Sequence, residues 1–309
     1  MQASAQLQSP MAAPAIVRPS VIRRSIKAER VATALGAEVS NVNLADAAQD
    51  RDQIAEIRAL LLQHKVLFFR DQDITPMQHQ NFGEQFGELH VHPVYPMLAE
   101  APKVFPLHRN IGETTRVVDE YSYENAWHLD AHYEARPTMG SILRCLACPD
   151  LGGDTLWSNM VLAYDRLPGS IKETIADLYA KNHHEQVFLS HRKTEGRRAA
   201  AAAQPPVEHP VVYTHPETGE KVLFVSIFTT HFSNYYRFPR IRTGQDFMPE
   251  AQHLLQYLAA QANIPEYHVR LRWKPNTVAF WDNRSTQHYA VHDYGSAPRS
   301  MHRVSILGD

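Results

Sequence analysis

Cysteine is almost missing: two residues in 309, both in the segment RCLACP, as Cys145 and Cys148. No disulfide framework is expected, and this C-x-x-C lacks the helix that a thioredoxin-type motif opens. The expectation is two buried structural thiols on a strand, their sulfurs on opposite faces, in a reducing compartment, with the cytoplasm as the location. Apolar runs long enough to cross a bilayer are also lacking, which argues against a membrane protein. Neither sign of charge is in excess, since 31 Lys and Arg stand against 33 Asp and Glu. Without a basic block there is no electrostatic footprint for nucleic acid. Internal repeats are missing too. Acid is absent from the first 28 residues, which hold Arg18, Arg23, Arg24 and Lys27. Residues 1–29 are expected to be a disordered extension, although a mitochondrial transit peptide shares this composition.

What is present suffices for one sizeable core, since 44% of the residues are hydrophobic; one domain over residues 30–309 is expected. In DRDQIAEIRALLLQHKVLFF, Ile54, Ile57, Leu60 and Leu61 share a helical face before the apolar strand Val66 to Phe69. In TPMQHQNFGEQFGE, Thr75 reads as an N-cap, Pro76 as the first helical residue, and Phe82 and Phe86 as neighbours one turn apart. Val161 to Leu178 reads as helical, and so does the stretch opened by Pro249, which buries Ala251, Leu254, Leu255 and Leu258. Residues 195–210 read as a surface excursion. Hairpins are expected around Pro216 to Gly219 and around Pro275 and Asn276. Many short strands with helices outside imply a mainly β fold with flanking helices, of the barrel or jelly-roll kind.

The chemistry-bearing stretch is NAWHLDAHYE, residues 125–134. Read as a strand, it turns His128, Asp130 and His132 to one face. Positions i and i+2 lie about 7 Å apart and can share an ion, whereas i and i+4, about 13 Å apart, cannot. His128 and Asp130 can thus chelate, and the third ligand must come from elsewhere. His288, opening a strand after FWDNRSTQ, is the best candidate; His292, His302, His209 and His215 compete, the last two reading as exposed. Two histidines and a carboxylate with open positions suit non-heme Fe(II).

WHLD at 127–130, GGDTLW at 152–157, HPVV with THP and TG over 209–219, and the terminal WDNRSTQHYAVHDYG with PRSMHRVSILGD resemble the taurine dioxygenase family of Fe(II)/2-oxoglutarate-dependent oxygenases. GAEVSNVNL and FGELHVHPVYP belong to the same pattern. The resemblance implies a double-stranded β-helix (jelly roll), with Fe(II), 2-oxoglutarate and O2. It places His128, Asp130 and His288 as the iron ligands and catalytic centre, and Arg299 and Thr155 at the distal 2-oxoglutarate carboxylate. Arg303, His92 and Tyr95 fall at positions that hold the substrate's acidic group, and Tyr133 and Phe228 at apolar walls. The partner implied is a small anionic molecule, and a homo-oligomer is expected. The expected reaction is hydroxylation of a sulfonate such as taurine, releasing sulfite and an aldehyde, with an alkyl sulfate or aryloxyalkanoate as the alternative. The preference for taurine rests on Glu124, which can pair with an ammonium. Glu124 stands where the family carries asparagine, and 230–251 is unusually long and aromatic. A zinc hydrolase could use the same three ligands but has no use for Arg299 and Thr155; a non-catalytic cupin-like binding protein is the third reading, which stoichiometric succinate formation would exclude.

Overall fold

The computed structural model describes residues 25–91, 96–109, 125–183, 205–235 and 249–308. His92, Tyr95 and Glu124, and most of the aromatic 230–251 stretch, lie outside the described residues, as does most of the 195–210 excursion.

The helices form where side chains satisfy their ends. Asn43 accepts from Ala45 and Asp46 N–H to start α1 (Leu44–Ala47), and Asp50 accepts from Asp52 and Gln53 N–H to start α2 (Arg51–His64). Helix α2 buries Ile57 and Leu61, and stops at Lys65 in the left-handed conformation. Thr75 and Gln78 close a reciprocal capping box on α3 (Pro76–Glu84), whose Phe82 meets Phe86 at 5.2 Å between ring centroids.

Among the described residues the largest sheet has seven strands, in the order β1 (Lys27–Arg30), β2 (Ala37–Ser40), β3 (Val66–Phe69), β13 (Val278–Asp282), β5 (Thr138–Ala147), β15 (Arg299–Leu307) and β4 (Phe105–Arg109). Strand β1 begins at Lys27, ahead of the expected domain start at residue 30. Only the β2–β3 pairing in this sheet is parallel. Strand β13, from near the C-terminus, thus lies at the middle of a sheet that the N-terminal strands begin, with β15 between β5 and the edge strand β4. The sheet is covered on both faces, which explains the unbroken apolar run of β3. Val278 and Phe280 of β13 pack with α1 to α3, and alternate residues Ala279 and Trp281 face a second layer. That layer is the sheet of β12 (His268–Leu271), β6 (Thr155–Asn159) and β14 (Thr286–Ala290). A third core gathers around α4 (Met160–Asp165), α5 (Gly169–Ile175) and α6 (Pro249–Ala260). It packs on β7 (Tyr179–Asn182), β8 (Val207–Pro210), the hairpin β9 (Val212–Thr214) with β10 (Lys221–Leu223), and β11 (Thr229–Phe232).

Several local expectations are corrected. Residues 161–178 form two helices, because Pro168 cannot continue the first and precedes the second. The segment around Pro275 and Asn276 is a crossover and no hairpin: β12 pairs with β6, while β13 pairs with β3 and β5, so the chain changes layer there. Residues 207–210 of the supposed excursion are a strand paired to β7. The stretch 125–134 makes a single bridge and then turns. Cys145 is buried and Cys148 half-buried, both free, and the two thiols contact each other; the irregular register at the end of β5 defeats the alternation that placed them on opposite faces. No helix among the described residues is long and apolar enough to cross a membrane.

Beneath α3 lies a buried basic cluster. His79 contacts the Ile142 carbonyl at 3.2 Å, His302 and Arg144 are cross-strand partners on β15 and β5, and the ring of His108 lies 5.9 Å from that of His302. Burial, then the neighbouring His302 and Arg144, press the His79 pKa down to about 3; burial, His108 and Arg144 bring His302 down to about 4. Both imidazoles are neutral in the fold and free to protonate near pH 6.5 when unfolded. Their stabilising contribution is present above that value and is lost as pH falls toward their folded values. Urea midpoints should therefore decrease from pH 7 to pH 4.5, and His79→Gln should flatten the decrease; an unchanged slope in the variant would exclude His79 as its source.

Candidate metal centre

His128 and His288 reach each other through the backbone. The two residues exchange N–H to carbonyl bonds of 3.1 and 3.0 Å in an isolated antiparallel bridge, which brings their rings to 4.0 Å between centroids. The His288 ring lies at 4.9 Å from that of Trp281, and β14 holds it in register opposite Trp157. Asp130 completes the group: one ligand atom from each of His128, Asp130 and His288 lies within 4.8 Å of the others, and all three residues are buried.

Each side chain is oriented for this role. The Nδ1 of His128 pairs with the Ala126 carbonyl at 2.8 Å, which fixes the proton there and leaves Nε2 with its lone pair. Asp130 is held by backbone and carboxylate alike. Its N–H donates to Asn283 Oδ1 at 3.0 Å, and its carbonyl accepts from Asn283 Nδ2 at 2.8 Å and Thr138 Oγ1 at 3.1 Å. Ser141 donates to its Oδ2 at 2.7 Å, and Arg303 Nη1 to its Oδ1 at 2.9 Å. Burial opposes its charge, but Arg303, His288, His128 and the Ser141 hydroxyl outweigh burial and hold the carboxyl well below the usual range. It is therefore an anion among neutralising donors. Ala131 follows with φ 54°, a left-handed conformation that an alanine adopts only against a steric cost. That turn sends His132 away to Ser226. His132 is thus apart from the cluster, as expected, but through a bend and not through distance along a strand.

Asn283 was missed by sequence reasoning, although the polar NR after an apolar strand marks a turn. The turn is locked by charge. Asp282 pairs with His215 at 2.9 Å and with Arg284 at 2.8 and 3.0 Å, and Arg284 also meets Glu217 at 2.8 Å. Burial works against Asp282, but His215 and Arg284 bring its pKa to about 2. His215, expected at the surface, is 1% exposed because this carboxylate holds it. His209 is half-buried, stacked on the His132 ring at 5.3 Å.

The remaining expected residues fall into two groups. Thr155 and Arg299 meet at the glycine turn. Arg299 Nε donates to the Gly153 carbonyl at 3.3 Å, and Thr155, two residues on, accepts from Trp273 Nε1 at 3.0 Å; both are buried. Gly152 and Gly153 have φ of 81° and 69°, and a Cβ on Gly152 would come within 2.5 Å of Asp293 Oδ1, which receives the Gly153 N–H at 2.8 Å. Arg303 shares its strand face with Arg299, four residues earlier, and is placed directly on Asp130. Phe228 stands at 6.3 Å from His128 and 5.1 Å from Tyr133 between ring centroids, so an aromatic pair adjoins the cluster.

The donor set fits a divalent first-row ion: two imidazoles with one carboxylate, convergent and buried, suit Fe(II) better than the oxygen-rich shell that Mg or Ca prefers. Asn283→Ala should lower unfolding free energy by about 1–3 kcal/mol, since it strands the buried amide of Asp130 and leaves its carbonyl to Thr138 alone. It should also weaken Fe(II) binding while every ligand remains; titration of the purified variant with Fe(II) under anaerobic conditions, beside urea unfolding, checks both.

Comparison with known proteins gives a consistent result. The family model described as taurine catabolism dioxygenase TauD, TfdA family matches residues 27–305. An alpha-ketoglutarate-dependent sulfate ester dioxygenase of Pseudomonas putida is 33% identical over 287 residues, covering 90% of this chain and 88% of its own. An alkylsulfatase of Acinetobacter baylyi is 32% identical, covering 89% and 83%. A crystal structure of a taurine dioxygenase from Burkholderia xenovorans superposes with a TM-score of 0.72 at 32% identity, covering 93% of this chain and 90% of that one.

Proposed function

Because this chain belongs to the TauD, TfdA family of taurine catabolism dioxygenases, we propose that it hydroxylates a small organosulfur acid, a sulfate ester or a sulfonate, at the carbon beside the heteroatom. The protein is a 2-oxoglutarate-dependent dioxygenase, using Fe(II) with 2-oxoglutarate and O2 as co-substrates. Its architecture is mainly β with flanking helices. We read that architecture as a double-stranded β-helix and residues 30–309 as a single domain. The pairing of β3 with β13 supports this, since it joins the two ends of the chain in one sheet.

His128, Asp130 and His288 hold the iron in this reading, and the observation that carries it is the convergence of their donor atoms within 4.8 Å. Bound iron supplies the oxidation of a C–H bond by O2, with 2-oxoglutarate leaving as succinate and CO2. Everything else is the work of the chain. Arg299 with Thr155 receives the distal carboxylate of 2-oxoglutarate; the buried guanidinium gives a bidentate partner that a lysine would not. Arg303 receives the acidic head of the substrate, and its contact with Asp130 puts that head next to the ligands. Phe228 and Tyr133 line the neighbouring carbons and exclude water. His92 and Tyr95 remain proposed contacts to the head. Hydroxylation of R–CH2–OSO3⁻ gives a hemiacetal sulfate, which releases hydrogen sulfate and an aldehyde; R–CH2–SO3⁻ likewise gives hydrogen sulfite and an aldehyde.

An apolar wall supports a hydrocarbon chain behind the acidic group, and the sulfate ester dioxygenase and alkylsulfatase relatives point the same way. Anaerobically loaded enzyme should be offered hexyl sulfate, hexanesulfonate, taurine and phenoxyacetate, with succinate and sulfate or sulfite measured. Matched succinate and sulfur oxyanion from any of the first three supports the reading; turnover of phenoxyacetate alone would sink it. Arg299→Gln should raise the 2-oxoglutarate requirement by about two orders of magnitude, because losing one partner of a buried charged pair costs about 2–5 kcal/mol. A wild-type requirement in that variant would assign the distal carboxylate to another cation.

A further inference from the structure

In the loop joining β10 to β11, Val225, Ser226 and Ile227 are each tied to the segments that carry His128 and His288. Gln287, next to His288, donates from Nε2 to the Val225 carbonyl at 2.6 Å. Trp127, next to His128, accepts from Ile227 N–H at 3.4 Å. Ser226 Oγ contacts His132 Nδ1 at 2.9 Å and accepts the Phe228 N–H at 3.3 Å. The Phe228 carbonyl accepts from His183 N–H at 2.9 Å, and Thr229 caps the turn by accepting Ser226 N–H at 3.1 Å and donating to Asn182 at 2.7 Å. Ser226, Phe228, Gln287 and His132 are all 4% exposed or less.

His132 makes sense only in this setting. It is fully buried, and its Nε2 has no hydrogen-bond partner among the described residues, so the Ser226 contact is the polar anchor of its ring. An apolar residue would fill that space without desolvating an imidazole nitrogen. What the imidazole adds is a fixed position for one hydroxyl, and that hydroxyl holds the amide of the residue whose ring stands beside His128.

We propose that Ser226, fixed by His132, is a positioning residue that sets the Phe228 ring beside His128 and thereby decides which substrate carbon is presented for oxidation. The inference rests on the organosulfur-acid dioxygenase reading above. Loosening the ring leaves 2-oxoglutarate binding intact, because Arg299 and Thr155 belong to a different turn, but lets the substrate carbon wander from the oxidised position. Consumption of O2 and 2-oxoglutarate then proceeds without product, the two missing electrons coming from added ascorbate.

The test compares wild type, Ser226→Ala, Phe228→Ala and the double variant, each loaded with Fe(II), on hexyl sulfate and hexanesulfonate with ascorbate present. Readouts are the ratio of sulfur oxyanion to succinate and the KM values of both substrates. Ser226→Ala should lower the ratio several-fold and raise the KM of the sulfur acid, leaving that of 2-oxoglutarate within about twofold. The double variant should be no worse coupled than Phe228→Ala, since both act through one ring, and Ser226→Thr should restore coupling. If Ser226→Ala does not fold, His132→Asn should show the same lowered ratio. A wild-type ratio in Ser226→Ala, or additive losses in the double variant, would overturn the inference. If wild type turns over neither probe, the same comparison is made on taurine, and failure of wild type on all three would instead overturn the substrate reading beneath it.

Discussion

One amide side chain holds the centre together. Asn283 binds the N–H and the carbonyl of Asp130 at once, so the backbone of the cluster's carboxylate residue is set by a residue 153 positions away. Asn283 can do this because Asp282 and Arg284 on either side of it are pinned in a buried ion cluster with His215 and Glu217. A buried ion cluster of this kind gives geometric definition more than net stability, since desolvation offsets much of its attraction. Its value here is that the turn after β13 has one conformation, which points Asn283 at Asp130 and leads directly into β14 with His288.

The layers explain why such precision is available. Strand β13 is buried on both faces between the α1–α3 core and the β12–β6–β14 sheet, and it delivers the Asp282–Arg284 turn from between two packed layers. His288 comes from the facing layer and His128 is stitched to it by two backbone bonds. The centre is therefore a seam between layers. Three donors converging on such a seam would leave the remaining coordination positions of a bound ion for oxygen donors from outside the chain.

Charge around the seam is arranged by function. Asp130 is kept ionised by Arg303, two imidazoles and a hydroxyl, while Arg299 lies at the glycine turn under Gly153. Two arginines on one strand face, four residues apart, give two separate cationic positions beside the cluster. The apolar rings of Phe228 and Tyr133 pack on each other, and Phe228 stands beside His128.

The sequence by itself determined the local elements and the identity of the chemistry. Helices α2 and α3, with their caps and buried faces, follow from periodicity within a few turns. The His128–Asp130 pair is legible in four letters, His288 stood out as the best third candidate behind its apolar strand, and the resemblance along most of the chain named Thr155 and Arg299. Only the tertiary structure decided how these meet. The alternation read in residues 125–134 is real as a pattern, yet the segment finds just one bridging partner and then turns at Ala131, so its geometry comes from Asn283 and His288. The Pro275 segment likewise looks like a hairpin until β12 and β13 find their partners in different layers. His215 looked exposed because nothing local announces Asp282, 67 residues further on, as its partner. In each case the outcome depends on pairing between segments far apart in the chain, and hydrogen-bonding partners across such distances are chosen by the packed layers, which no local pattern encodes.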